Sequence, residues 1–347
     1  PIMTNKVRVA LIGVGNASSI FVQGLDYYAK HNNTSGLWHK KIGGLKPSDV
    51  KVVAAFDIDP TKVGQDLNDV VNRRPKKYYS VRGSSINIQA GMLSDDPPFP
   101  FRSEKTITSS HEEFGEMLET SETNVVVNLI SSGLDRTVTD YADASLDAGL
   151  PFINATPTKI AGNDAFSKKF GDKKIPLIGD DLLSQLGGTA LHKGIIDFLV
   201  ERGALVRKSY QLDVGGNKDT QNTMVERTKM AKRKIKTKSI AIEAPYNFES
   251  VAGTTEYTDF LRDSRNSYYW VSSEGFLGSN IVIDMMLHTS DGANAGNVVL
   301  DVVRAVYAHH NRKVKNGSEL ICGYGFKDPP VKYKIRDAYR NFIEAFT

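Results

Sequence analysis

An apolar run that ends in a glycine turn narrows the choice of fold before anything else is considered. Val7, Val9, Leu11 and Ile12 read as a buried strand and lead into Gly13-Val14-Gly15-Asn16-Ala17-Ser18. Glycines at a strand-to-helix turn let the backbone approach a pyrophosphate, and the helix N-terminus behind them offers unpaired N–H groups and a favourable dipole. The third small position is Ser18, not glycine. The expectation is a dinucleotide-binding βαβ unit with Gly13, Val14, Gly15, Asn16, Ala17 and Ser18 at the cofactor. A turn of purely structural purpose would read the same, so the downstream residues carry the decision.

Further apolar runs ending in turns fall at residues 50–56, 124–130, 151–154 and 175–179, with helical patterns at 23–29, 62–71, 112–118, 141–148 and 163–170. This alternation predicts an α/β domain built on a doubly wound parallel sheet, a Rossmann fold. The second run closes on Asp57, where a carboxylate accepts hydrogen bonds from an adenosine ribose and favours NAD over NADP. Asp57 lies farther from the glycines than is usual, which requires an insertion, and residues 31–47 supply it. Ser131 and Ser132 follow the 124–130 run, where small hydroxyls would face the cofactor.

The texture changes after Gly179. A helix-like run at 182–200, a strand at 208–214 and strand-like pieces across 241–287 predict a second, antiparallel α+β domain. The expected division is residues 1–185 for cofactor binding and 186–289 for catalysis and oligomerisation, with 290–347, including a helix at 293–309, rejoining the first domain. The proline-dense stretch 95–101 reads as a loop.

At 347 residues the chain exceeds what one core normally serves. A single cysteine, Cys322, excludes an intramolecular disulfide and fits a reducing, cytoplasmic setting. Lysine and arginine exceed aspartate and glutamate only by 44 to 40, which gives no argument for a nucleic-acid or membrane partner. No apolar run approaches the ~20 residues of a membrane span, and the first residues lack the apolar core of a signal peptide. HExxH, GxSxG and GxxxxGK[ST] spacings are all missing, which disfavours a zinc hydrolase, acyl transfer and NTP chemistry.

The second chemical signal is the lysine-rich segment 229–238. On a helix Lys232 and Lys236 share a face, and Lys234 and Lys238 form a second such pair. Clustered ammonium groups lower one another's pKa, so one lysine can accept a proton while a neighbour holds phosphate or stabilises an enolate. A solvated basic face is the competing account.

The strings GVGNASS with FVQGLDYY, VVAAFDIDPTKVGQDL, DAGLPFINATPTKIA, IPLIGDDLLSQLGGT, DVGGNKD and DGANAGNVVLDVVRA span most of the chain. Together they resemble the myo-inositol-1-phosphate synthases, in their shorter prokaryotic form. The resemblance implies conversion of glucose 6-phosphate to inositol phosphate by C5 oxidation, enolisation, aldol closure and re-reduction, with NAD reduced and reoxidised in each turnover. It implies a homotetramer assembled through the second domain, and a mono- or divalent cation whose site the spacing leaves unassigned. Counting from Gly215-Gly216-Asn217, the family's KxxxK pair falls on Lys232 and Lys236, and Lys234 and Lys238 remain rivals in a shifted register. A further family lysine corresponds to Arg265, which keeps the charge but cannot deprotonate. The last one corresponds to Lys327. Asp291 and Asn294 match an Asp-Ser-x-Asn turn that approaches the nicotinamide or a bound cation, with Gly292 in place of serine. Asp181 matches a cofactor-contacting aspartate, or else caps a helix beginning at Leu182. Asn217 and Asp219 stand where substrate hydroxyls would be oriented, and Asn217 is equally at home as a turn former.

Three other readings stay open at this level. A cyclase of the same mechanism would act on another sugar phosphate. A simple NAD-dependent dehydrogenase would accumulate NADH. A non-catalytic dinucleotide-binding regulator would turn over nothing.

Overall fold

The computed structural model describes residues 6–74, 77–83, 85–96 and 105–347. Most of the proline-dense stretch, 97–101, lies outside them, as do residues 1–5. Strands β1 (Val7–Ile12), β2 (Val50–Asp57), β3 (Gln89–Ala90), β4 (Val125–Asn128), β5 (Phe152–Asn154) and β6 (Leu177–Ile178) form one sheet in the order β3-β2-β1-β4-β5-β6. Every pairing in it is parallel. Parallel strands need crossovers, and α1 (Asn16–Lys30), α2 (Leu67–Asn72), α3 (His111–Thr120), α4 (Asp135–Asp147) and α5 (Asp164–Asp172) provide them. Val125, Val126 and Val127 are all buried because helices cover both faces. The strand order reverses between β1 and β4, which opens a crevice at their carboxyl ends.

Two helices begin well after the sequence pattern does, whereas α1 and α4 begin well before it. The pattern at 62–71 becomes helical only from Leu67. Before it, Lys62 and Val63 close a turn on the Asp59 carbonyl at 2.9 and 3.0 Å, and Asp66 then accepts from the Asp69 N–H as an N-cap. The expected helix at 182–200 starts only at α6 (Gly188–Glu201). Residues 181–183 instead run beside 325–327, with the Leu183 N–H on the Gly325 carbonyl and the Lys327 N–H on the Asp181 carbonyl, both at 2.7 Å. Asp181 is therefore not a helix cap.

The second sheet contains β7 (Leu205–Gly215), β8 (Glu249–Tyr257), β9 (Ser264–Glu274) and β10 (Asn280–Ser290), ordered β10-β9-β7-β8. It is mixed rather than antiparallel. β9 pairs antiparallel with β7 and β10, but β8 runs parallel to β7 because α7 (Lys218–Asn222) and α8 (Glu226–Ala241) cross over between them. Ile196 and Leu199 of α6 and Ile240 of α8 pack on Val206, Ala252 and Val271 of the inner face. The outer face carries Tyr210, Tyr268 and Trp270, with Leu212, Val282 and Met286 exposed beside them.

After β10, α9 (Asp291–Arg312), α10 (Gly317–Gly325) and α11 (Ile335–Phe346) return to the first sheet. Val298, Val302, Val306, Ile321 and Phe342 share one apolar cluster with Val9, Leu11 and Val127. Glu243, just past α8, joins these units: it accepts the Ile335 N–H at 3.1 Å and pairs with Lys193 of α6 at 3.2 Å. Burial pushes the Glu243 carboxyl up to about 7 against the pull of Lys193. A carboxyl raised on folding contributes stability that is complete below its unfolded pKa and is lost as pH rises through the folded one. Glu243→Gln is therefore expected to flatten the fall in stability from about pH 5 to 7, measured by urea titrations; an identical slope in the two proteins would contradict this.

Candidate active site

The crevice at the β1/β4 switch opens into a cavity of about 730 Å³ that reaches from the glycine turn to the inner face of the second sheet. At one end Gly13, Gly15, Asn16 and Ala17 line it, with Ser131 and Ser132 opposite, beyond β4. Gly13 has φ +87°, and a Cβ there would lie 3.0 Å from the Leu129 and Ile130 backbone. Gly15 caps α1 without a side-chain hydrogen bond, and a Cβ on it would meet open space. The first turn of α1 thus presents its N–H groups to the cavity. Asp57, at the end of β2, accepts the Val14 N–H at 2.9 Å and Lys62 Nζ at 3.0 Å. Arg74 donates to Asn16 Oδ1 at 2.8 Å and to the Val14 carbonyl at 2.6 Å. A helix N-terminus beside an aspartate at a strand end fits NAD, the first for pyrophosphate and the second for ribose.

Two turn residues do not face the cavity. Val14 is buried with its N–H on Asp57, and Ser18 is buried with its hydroxyl on the Gly13 carbonyl, so both shape the turn from behind. Gly13→Ala is expected to weaken NAD binding about tenfold, the equivalent of the ~1–2 kcal/mol that a left-handed alanine costs. Calorimetric titration with NAD tests it, and unchanged affinity would remove Gly13 from the cofactor cradle.

At the other end four cations are each matched with a carboxylate. Lys232 Nζ lies 2.8 Å from Asp219 Oδ2, Lys236 Nζ 2.8 Å from Asp213 Oδ2, Arg265 Nε 2.5 Å from Asp291 Oδ2 and Lys327 Nζ 3.0 Å from Asp181 Oδ1. Apart from Lys232 and Lys236, which share α8, these side chains come from different segments of the chain, and all but Asp213 line the cavity wall itself. Lys232 and Lys236 face it because they are one turn apart on α8. Lys234 and Lys238, about 200° further round from Lys232 and Lys236 respectively, are exposed and outside it.

The electrostatics differ from pair to pair. Burial lowers the pKa of Lys236 against the pull of Asp213, and Arg265 and Lys327 lower it further. Burial acts to raise the pKa of Asp213, but Lys236 and Arg265 outweigh it and hold the carboxyl well below the usual range. At Asp219 the opposing effect of burial is likewise outweighed, chiefly by Lys232, and the carboxyl falls to about 2. Burial would lower the pKa of Arg265, yet Asp291, Asp213 and Asp219 raise it instead, so that side chain is a permanent cation.

The remaining candidates divide. Asn217 lines the cavity and also caps α7, accepting the Thr220 N–H at 2.8 Å. Asp291 opens α9 at the wall, while Asn294 turns its amide to Thr289 Oγ1 at 2.7 Å and does not line the cavity. A Cβ on Gly292 would lie 2.6 Å from Ile20 Cδ1 and 3.0 Å from Asp263 Oδ2, so a serine there would need space this packing lacks. Asp180, next to Asp181, is structural: it accepts the Ile160, Ala161 and Gly162 N–H groups. Among the described residues no group of three or more His, Cys, Asp and Glu side chains is placed to hold a metal ion.

Sequence reasoning missed Asp213, Lys62 and Arg74. Asp213 had a signal: Ser209, Gln211 and Asp213 occupy alternate positions of β7, and all are buried. A polar stripe on the inward face of a strand demands partners.

The family model for myo-inositol-1-phosphate synthase matches residues 187–292, which include α8, Lys232, Lys236 and Arg265. The inositol-3-phosphate synthase of Mycobacterium tuberculosis is 31% identical over 341 residues, covering 95% of this chain and 93% of that protein. The chain belongs to the myo-inositol-1-phosphate synthase family. The solved structure of Ari2 is 27% identical with a TM-score of 0.75, over 97% of this chain and 98% of Ari2. A myo-inositol-1-phosphate synthase-related protein from Thermotoga maritima shares the fold, with a TM-score of 0.86 at 20% identity over 98% of both chains. Within this site Arg265 is held between Asp291 and Asp213, at 2.5 and 3.8 Å.

Proposed function

We propose that this protein is an inositol-3-phosphate synthase that cyclises D-glucose 6-phosphate to 1D-myo-inositol 3-phosphate with no net redox change. The observation that carries this reading is one cavity joining the glycine turn and Asp57 to Lys232, Lys236, Arg265 and Lys327. Bound NAD supplies reversible hydride acceptance at C5 of the sugar. Oxidation there acidifies C6, and Lys236, whose pKa is lowered by burial, takes the C6 proton. Arg265 stays charged throughout and stabilises the enolate oxygen without exchanging a proton. Lys232 and Lys327 hold the phosphate, while Asn217 and Asp219 orient hydroxyls. Aldol closure joins C6 to C1 and returns a proton to the C1 oxygen, after which C5 regains the hydride it gave up and its carbonyl oxygen takes a proton, so the product is a polyol at the oxidation level of the substrate.

The deciding experiment incubates the protein with glucose 6-phosphate and catalytic NAD, following inositol phosphate by phosphorus NMR and NADH by absorbance. Inositol phosphate without accumulating NADH is expected. Steady NADH would make the protein a dehydrogenase, and product from a different aldose phosphate alone would make it a related cyclase.

This reading includes a homotetramer, a cytoplasmic setting and a domain division at 185 and 289. The exposed outer face of the second sheet, with Tyr210, Leu212, Trp270, Val282 and Met286, supports self-association. Light scattering that returned a monomer mass would reject it. No helix among the described residues is long and apolar enough to cross a membrane.

A further inference from the structure

Behind Lys236 lies a chain of buried polar groups that the proposed reaction does not itself use. Asp213 Oδ1 accepts from Gln211 Nε2 at 2.8 Å and from Ser267 Oγ at 2.6 Å, while its Oδ2 faces Lys236. Gln211 Oε1 lies 3.2 Å from His192 Nδ1, and His192 Nε2 lies 3.0 Å from Ser209 Oγ. His192, Gln211 and Ser267 are 0% exposed and Asp213 is 1% exposed.

The direction of every hydrogen bond in this chain follows from one charge. An ionised Asp213 can only accept, so the Gln211 amide must point its NH₂ at Asp213 and its carbonyl at His192. That carbonyl requires a proton on His192 Nδ1. The neutral ring then has only an acceptor left at Nε2, which the Ser209 hydroxyl fills. Burial keeps the ring neutral, lowering its pKa to about 4 against the Gln211 bond. The backbone makes room for the arrangement: a Cβ on Gly188 would lie 2.6 Å from Gln211 Nε2.

We infer that His192 and Gln211 are positioning residues that orient Asp213 and thereby set the proton affinity of Lys236. The inference rests on the reading of Lys236 as the base. The groups facing Lys236 are Asp213 from β7, Arg265 from β9 and Lys327 beyond α10, and His192 of α6 reaches it only through Gln211 and Asp213. The Gln211 amide turns the positive end of its dipole toward Asp213. Removing that dipole leaves the carboxylate more negative, strengthens its hold on the lysine ammonium and raises the pKa of Lys236. Less free amine then exists at a given pH, so the acidic limb of the rate profile moves to higher pH.

The test is the pH dependence of kcat for the wild type, Gln211→Leu, His192→Leu and His192→Asn, with NAD binding and thermal unfolding as checks on folding. Gln211→Leu and His192→Leu are expected to shift the acidic limb upward and to lower kcat at neutral pH about tenfold, with KM for the sugar phosphate little changed. His192→Asn keeps an amide N–H where Nδ1 stood and is expected to restore most of the profile. A uniform loss at every pH, or no loss, would overturn the inference. Should the variants fail to fold, ¹⁵N NMR of histidine-labelled wild type decides: a neutral Nδ1–H ring from about pH 5 to 9 is expected, and an Nε2–H or protonated ring overturns it. Lys236→Met separates the two layers. Turnover surviving that change would remove the base itself, whereas loss there with unshifted His192 and Gln211 profiles would reject only the positioning role.

Discussion

Lys236→Met is expected to lower turnover by about 10³-fold at neutral pH while NAD binding is retained. Methionine keeps most of the buried stem and removes the amine. Asp213 would still accept from Gln211 and Ser267 and would face Arg265 at 3.8 Å, so the carboxylate is not left without partners. Lys236→Arg is the sharper version: it keeps the cation beside Asp213 but cannot give up its proton in the working range. Comparable losses in both variants would assign proton transfer to Lys236, whereas an active arginine variant would reduce Lys236 to an anion clamp. Exchange of the C6 proton with deuterated solvent, read by NMR in the presence of NAD, measures the step directly. Turnover within threefold of wild type in Lys236→Met would sink the assignment.

The largest stability effect is expected at Arg304, far from the cavity. Its guanidinium is 0% exposed and donates to the carbonyls of Leu300, Lys40, Leu45 and His39 and to Asp301 Oδ1. Burial lowers its pKa against the pull of Asp301. Asp301, also fully buried, holds His39 Nδ1 at 2.6 Å and the Tyr324 hydroxyl at 2.8 Å. One arginine therefore fastens the 31–47 insertion to α9, and α10 joins through Tyr324. Arg304→Leu leaves a buried carboxylate short of its cation and several carbonyls without donors, at a cost of about 3–5 kcal/mol, or roughly 10 °C in Tm. Adding Asp301→Leu should recover part of the loss, because the unpaired charge goes with its partner. A single-variant loss under about 1 kcal/mol in urea unfolding would show that the insertion is held by apolar contacts alone.

These residues mark where the sequence was readable. Five of the six strands of the first sheet appear as apolar runs because a parallel sheet covered on both faces admits little else, and the glycine turn appears because φ +87° at Gly13 suits glycine. The phase of α8 was readable as two rival lysine pairs, since helix geometry relates residues four apart without saying which face turns inward. The parallel pairing of β7 and β8 was not readable. Their crossover includes a lysine-rich helix whose weak apolar stripe hides its packing role.

Spacing along the chain alone determined the doubly wound domain, the nucleotide turn, the carboxylate at the end of β2 and a set of lysines able to do proton chemistry. Tertiary structure decided which lysines enter the cavity and which carboxylate each one meets, as Lys327 meets Asp181 from 146 residues away. It also decided that Asp213 lies beneath Lys236 with His192 and Gln211 behind it. An ion pair depends on distance and on exclusion from water, and both are set by long-range packing rather than by the order of residues.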